Sequence, residues 1–323
     1  MPKRTNYDKG AVARLFAAQG GLATRAQLIG LGVPPSTIRH RERPGGPWRR
    51  VLRGVCASHD HASAGLGRLR VAQLFAGPGS VVTGLAALRA HRLTAALSAT
   101  TEEHEVKVLI PGSRRRESTG FVLVARTRRM PVPVEIEGCR VAPVARAAVD
   151  ACLETKDTEL VRRIITELIH SGRSSPGELR AELDANRRQQ SAATRAVLIE
   201  FAEGIRTGAE AQCRSKLARV AAPRPQWNRR VLVEATGRFA VLPGALWPER
   251  GIALQVEPVH GPDAEEPDRL AARRRWMAAV LRLTVTRVTP SQVRDRWDEV
   301  WSDLRGLLDR PPTYRLPPGY VFA

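Results

Sequence analysis

From Gly204 to Leu308 the hydrophobic and turn signals alternate in an order that few architectures accommodate. A helix over "GIRTGAEAQCRSKLARVAA" is followed by a hairpin over "NRRVLVEATGRFAVLPG" turning near Thr236 and Gly237, and then by a buried strand, "RGIALQVEP". Next come a helix, "PDRLAARRRWMAAVLR", a strand, "LTVTRVTP", and a last helix, "SQVRDRWDEVWSDLRGLLD", which makes the order αβββαβα. Alternate residues of a strand face one side, so Gln255 and Glu257 share a face, and a helix carboxylate such as Glu210 is the usual third partner for a divalent ion there.

The charge narrows the partners. The chain has 323 residues and a formal charge of +20, from 52 basic against 32 acidic side chains. An excess of this size implies an anionic partner, most simply a nucleic-acid backbone. Arginine carries nearly all of it, since the lysines are Lys3, Lys9, Lys107, Lys156 and Lys216 alone. Cys56, Cys139, Cys152 and Cys213 are far apart, without zinc spacing, and read as buried small hydrophobes in a reducing cytosol. No uncharged apolar run of about 18 residues occurs, so a cytoplasmic protein with no membrane partner is expected.

Residues 1–55 carry 11 basic and 2 acidic side chains, a net of 11 − 2 = +9. Val12, Leu15 and Phe16 recur at helical spacing before Gly20 and Gly21, and Thr24 with Gln27 has the spacing of a capping box. A third helix over Ser36 to Arg43 and a β-like "WRRVLRGV" complete the order of a winged helix-turn-helix, whose last helix enters the major groove while the wing touches the backbone. Ser36, Thr37, Arg39, His40, Arg41 and Arg43 are then the candidates for bases and phosphates, joined by Arg25 and by Arg49, Arg50 and Arg53 of the wing. Ile38 is expected to point inward.

The middle segment alternates strands and amphipathic helices, with a capping-box spacing at Ser175 and Glu178. Between the strands "EHEVKVLIP" and "GFVLVART", "GSRRREST" reads first as a solvated hairpin tip and second as a phosphate grip through Arg114, Arg115 and Arg116. His59 and His61 flank Asp60 without a third ligand, and His91, His104 and His170 stand alone, so no metal or cofactor is expected. Trp227, Trp247, Trp276, Trp297 and Trp301 fall in apolar contexts, which assigns them to the core. No phosphate-binding glycine loop, zinc-protease motif or nucleophile arrangement is present.

Two stretches resemble known families. "GGLATRAQLIGLGVPPSTIRHRERPGGPWRRVLRGV" resembles the winged helix of AbiEi-type antitoxins. "RTGAEAQCR", "PQWN", "LPGALWPERGIALQVEP" and "LAARRRWM" resemble the very-short-patch-repair-endonuclease-like domain, of the PD-(D/E)XK class, joined to such a winged helix in many actinobacterial proteins. The resemblance implies an acidic helix residue, an Asp before the apolar-Trp-Pro segment, and Glu-apolar-Asp on the next strand. Here Glu210 is retained, Gly244 replaces the Asp, and Gln255-Val256-Glu257 replaces the strand motif. A neutral amide cannot supply the charge that holds Mg²⁺, so a degenerate nuclease domain with no catalytic residues is expected. Glu249 is the one nearby carboxylate that could fill the gap, and Arg273, Arg274 and Arg275 form a second basic patch where a former nuclease would face DNA.

The expected fold is therefore α+β and multidomain: a winged helix-turn-helix at 1–58, a middle α/β domain of AbiEi-like type at 59–203, a restriction-endonuclease-like αβββαβ core at 204–310 and a Pro-rich tail at 311–323. The expected function is sequence-specific binding of double-stranded DNA by a transcriptional regulator. The resemblance extends this to an autorepressor that neutralises a toxin protein, with a homodimer as the form that reads a palindrome. The enzyme alternative is a divalent-metal-dependent DNA endonuclease of the very-short-patch-repair-like class.

Overall fold

Asp8 starts α1 (Lys9–Ala18): its carboxylate accepts the Ala11 amide, one of the donors that a helix leaves open in its first turn. Thr24 closes β1 (Leu22–Thr24) and, with Gln27, forms the expected capping box on α2 (Arg25–Gly30). A proline in the first turn opens α3 (Pro35–Arg41), and the chain returns through β2 (Trp48–Leu52) and β3 (Val55–Ser58). The three strands form an antiparallel sheet in the order β1-β3-β2. Val12, Phe16, Leu28, Ile38 and Trp48 close the core between helices and sheet, with the Phe16 and Trp48 rings 5.3 Å apart. The computed structural model describes residues 7–58, 66–97, 105–186, 191–257 and 267–323; His59, Asp60, His61 and His104 lie outside this range.

The chain divides into two compact units, 1–194 and 195–323. The three-helix segment belongs to the first unit together with a larger mixed α/β portion. In that portion α4 (Leu66–Ala76), β4 (Val81–Thr83), α5 (Gly84–Ala90) and α6 (Thr94–Leu97) precede β5 (Val106–Pro111), β6 (Val122–Thr127), β7 (Val134–Ile136) and β8 (Cys139–Val141). Three helices complete it, α7 (Val144–Cys152), α8 (Thr158–His170) and α9 (Pro176–Asp184), the last on the expected Ser175–Glu178 capping box. The five strands form one mixed sheet in the order β6-β5-β4-β8-β7.

One expectation fails here. β5 and β6 pair in parallel, Val106 opposite Val122 through Pro111 opposite Thr127, so "GSRRREST" is no hairpin tip. A parallel partner must start at the same end, and the connection runs back along the strand it has just left. Alternation of apolar residues reveals a strand but not its direction.

In the second unit, reached through α10 (Ala192–Ala202), Thr207 and Glu210 form a capping box on α11 (Gly208–Leu217). β9 (Gln226–Trp227), β12 (Ala245–Trp247), β13 (Ile252–Val256) and β14 (Thr284–Val288) make a four-stranded sheet in the order β14-β13-β12-β9. β10 (Val231–Val233) and β11 (Phe239–Val241) form the expected hairpin, with Gly237 at φ +63° in its turn. It lies in a separate three-stranded sheet and is not the start of the core. The strands that continue the sheet from β13 are β12 and β9, which the sequence pattern did not reveal because each has only two or three residues. β13 and β14 are parallel, joined through α12 (Pro267–Ala279). The single last helix expected from sequence is two, α13 (Pro290–Asp295) and α14 (Trp297–Leu308), because Arg296 leaves helical geometry at φ −131°, ψ 43°. Trp227 and Trp247 are buried in the core, while Trp297 and Trp301 pack against it half-buried.

The Pro-rich tail is ordered. It ends in β15 (Tyr320–Phe322), which pairs with β10, and the Tyr314 hydroxyl donates to the Leu281 carbonyl. Gly251 permits this seating: it has φ +63°, and a Cβ there would collide with the Tyr314 ring. Gly251→Ala is expected to destabilise the second unit by about 1–3 kcal/mol through left-handed strain and overpacking. An unchanged thermal midpoint would show that the tail does not rest on Gly251.

Candidate nucleic-acid interface and expected metal positions

Ile38 is fully buried, and this orients α3. With that residue inward, Ser36, Arg39 and His40 are exposed, Thr37 is half-buried, and Arg43 is exposed just past the helix end. Arg41 departs from the expected outward set. Its guanidinium lies over the Trp48 ring at 4.9 Å and the Tyr7 ring at 5.8 Å, so it braces the helix against the sheet. A register shift between Arg50 and Leu52 interrupts the alternation of β2, leaving Arg49 and Arg50 both exposed while Trp48 and Leu52 are buried. Arg53 is exposed at the hairpin turn, beside Gly54 at φ +84°.

The return connection after β5 adds to this surface in a way the sequence did not show. Arg114 donates to the carbonyls of Ala76 and Pro78, and Arg116 lies over the Phe75 ring at 4.2 Å. Both pin the connection to the end of α4. Arg115 and Arg116 thereby line a cleft of about 740 Å³ together with Arg25, Arg50 and Arg53. Five guanidiniums face two carboxylates there, Glu42 and Glu117. Glu42 also accepts the Cys56 thiol at 2.8 Å. Burial, and then that carboxylate, push the Cys56 thiol up to about 12, so it is a packed, protonated group and not a nucleophile. All four cysteines are free and buried.

Of the positions where the nuclease resemblance would put metal ligands, Glu210 and Glu257 are committed to other partners. Glu210 is the third residue of α11, where Oε2 accepts the amides of Arg206 (2.7 Å) and Thr207 (3.2 Å) and Oε1 accepts Asn228 Nδ2 (3.0 Å). Gly244 is buried, and a Cβ there would lie 2.5 Å from the Leu254 carbonyl oxygen and 3.2 Å from Gln255 Oε1. Among the described residues the Gln255 side-chain amide reaches the Met277 sulfur, at 3.6 Å. Glu257, 5% exposed, is paired with Arg274 and, at 3.2 Å, with Arg287.

These residues do not fit a divalent ion. No cluster of three or more His, Cys, Asp or Glu side chains suited to a metal occurs among the described residues. Glu249 does not fill the gap, because it is exposed beyond the far end of β12 from Gly244. The expected basic patch on α12 divides as well: Arg274 is held by Glu257, Arg273 is half-buried beside Trp276 and Phe239, and Arg275 is exposed.

Comparison of the sequence with protein-family models and with curated proteins finds no match. Among the described residues no helix is long and apolar enough to cross a membrane.

Proposed function

We propose that the chain is a sequence-specific double-stranded DNA-binding protein, a transcriptional regulator that reads its site with a winged helix-turn-helix and carries a nuclease-like unit without nuclease activity. The observation that carries this is the surface of α3 and the hairpin after it. Ser36, Arg39, His40 and Arg43 are exposed on and beside a helix whose one fully buried side chain fixes its outward face, and Arg49, Arg50 and Arg53 are exposed on the hairpin. Helix side chains of these types reach base edges in a major groove, while wing arginines neutralise phosphates. The cleft with Arg25 and Arg115 continues the same sign of charge, as a phosphate track requires. The sheet order of the second unit and its parallel β13–β14 pair support a restriction-endonuclease-like ancestry, and the ion pairs of Glu257 support loss of the metal.

The test is selection of genomic fragments by the purified chain in Mg²⁺, with both the bound sequences and their ends read. Intact fragments sharing one motif are expected, and Arg39→Ala with Arg43→Ala is expected to lose the motif. New, clustered ends would overturn the assignment in favour of a metal-dependent endonuclease.

A further inference from the structure

We propose that the second unit binds a nucleotide-sized phosphate ester in a cavity beside β9, independently of any DNA bound by the first unit. The cavity measures about 940 Å³, within the range of small-molecule sites. Its lining combines two chemistries. Leu217, Val220, Pro223 and Trp227 provide apolar surface, and Arg214, Arg224, Arg229 and Arg230 provide four guanidiniums against one acidic side chain, Glu203.

The guanidiniums are not equivalent. Arg214 is paired with Glu203, and Arg229 is held by Gln226 Oε1 and by the Phe322 ring, 5.1 Å away. Arg224 and Arg230 are exposed and take part in no ion pair among the described residues. Two fixed and two uncommitted cations beside an apolar wall suit a ligand with phosphates at one end and a flat apolar group at the other. A duplex presents its charges along an extended outer surface and does not enter a concavity of this size.

The wall is held by hydrogen bonds within the unit. Asn228 sits at φ +46°, donates its backbone amide to the Gly244 carbonyl at 2.7 Å, and donates its side-chain amide to the Gly204 carbonyl and to Glu210. The Glu210 carboxylate thus holds the corner from which Trp227 and Arg229 face the cavity. A preformed site of this kind loses little freedom on binding.

The test is calorimetric titration of the full chain, without divalent metal, by ATP, by pyrophosphate and by a single-stranded oligonucleotide with a 5′-phosphate. ATP is expected to bind at least about tenfold more tightly than pyrophosphate, because only ATP reaches the apolar wall. Arg224→Ala with Arg230→Ala is expected to weaken ATP by about tenfold or more, while Arg238→Ala with Arg275→Ala, exposed positions outside the cavity lining, leaves it unchanged. Displacement of ATP by the oligonucleotide would support the same site and assign a strand end as the source of the phosphate ester. No heat with ATP at millimolar concentration, equal affinity for pyrophosphate, or an equal loss in the Arg238/Arg275 variant would overturn the proposal. Both double variants keep Arg39 and Arg43, so failure here leaves duplex binding by the first unit as it was.

Discussion

Asp150→Ala is expected to destabilise the first unit by about 3–5 kcal/mol, the cost of leaving a buried charge without its partner. Asp150 is 5% exposed and accepts three donors: the Thr83 hydroxyl at 2.7 Å, Arg146 Nε at 2.8 Å and Asn186 Nδ2 at 3.0 Å. Arg146, also 5% exposed, has one other carboxylate near it, Glu182 at 3.5 Å, which Arg129 already holds. Removing Asp150 therefore leaves a buried guanidinium with only a longer, shared contact to Glu182 and the Arg129 carbonyl at 3.4 Å. The same cluster surrounds Lys107, paired with Glu154, whose ammonium burial holds below the ordinary lysine range while Asp150 opposes that shift. Urea denaturation checks this. A midpoint shift equivalent to less than about 1 kcal/mol would show that the cluster is solvated and contributes no more than a surface ion pair.

Introducing the acidic residues of the nuclease pattern is expected to give no activity and to destabilise the unit. Gly244→Asp with Gln255→Glu recreates a nuclease-like set on paper. A Cβ at Gly244, however, meets the Leu254 carbonyl at 2.5 Å, and the new carboxylate would enter a buried position already crowded by residue 255. Glu257 remains tied to Arg274 and Arg287. The double variant is expected to lose about 3 kcal/mol or more, from overpacking and from burial of unpaired charge, and to show no Mg²⁺- or Mn²⁺-dependent nicking. Nicking that Glu257→Ala then abolishes would mean that the arginines give way to a metal and that only two substitutions separate this unit from an enzyme.

The legible parts of the fold were those set by local chemistry. Thr24 with Gln27 and Ser175 with Glu178 announce helix starts through hydrogen bonds that span three residues, and Ile38 faces inward because its neighbours in the helix are polar. Strand direction is a long-range property, so the parallel pairing of β5 and β6 left no mark on either strand. The surface arginines show the same division. Arg39 and Arg43 stay outward as their spacing predicts, whereas Arg41 turns onto two aromatic rings and Arg114 onto two backbone carbonyls. A guanidinium on a long stem finds partners far away in sequence, and counting arginines does not reveal which of them are available. That Gly244 and Gln255 carry no carboxylate is read directly from the sequence, but the pairing of Glu257 with Arg274 and Arg287 depends on how α12 and β14 flank β13.

The most direct test of the DNA-binding assignment is the salt dependence of affinity for a duplex carrying the selected motif. Each phosphate neutralised steepens the plot of log affinity against log salt by about 0.9, so the full chain is expected to show a steep negative slope. Arg49→Ala with Arg50→Ala is expected to reduce that slope by about 2 for all sequences alike, whereas Arg39→Ala with Arg43→Ala is expected to erase the preference for the motif. No measurable binding at about 50 mM salt, or a slope and a preference that neither pair of substitutions changes, would contradict the assignment of α3 and the following hairpin as the surface that reads DNA.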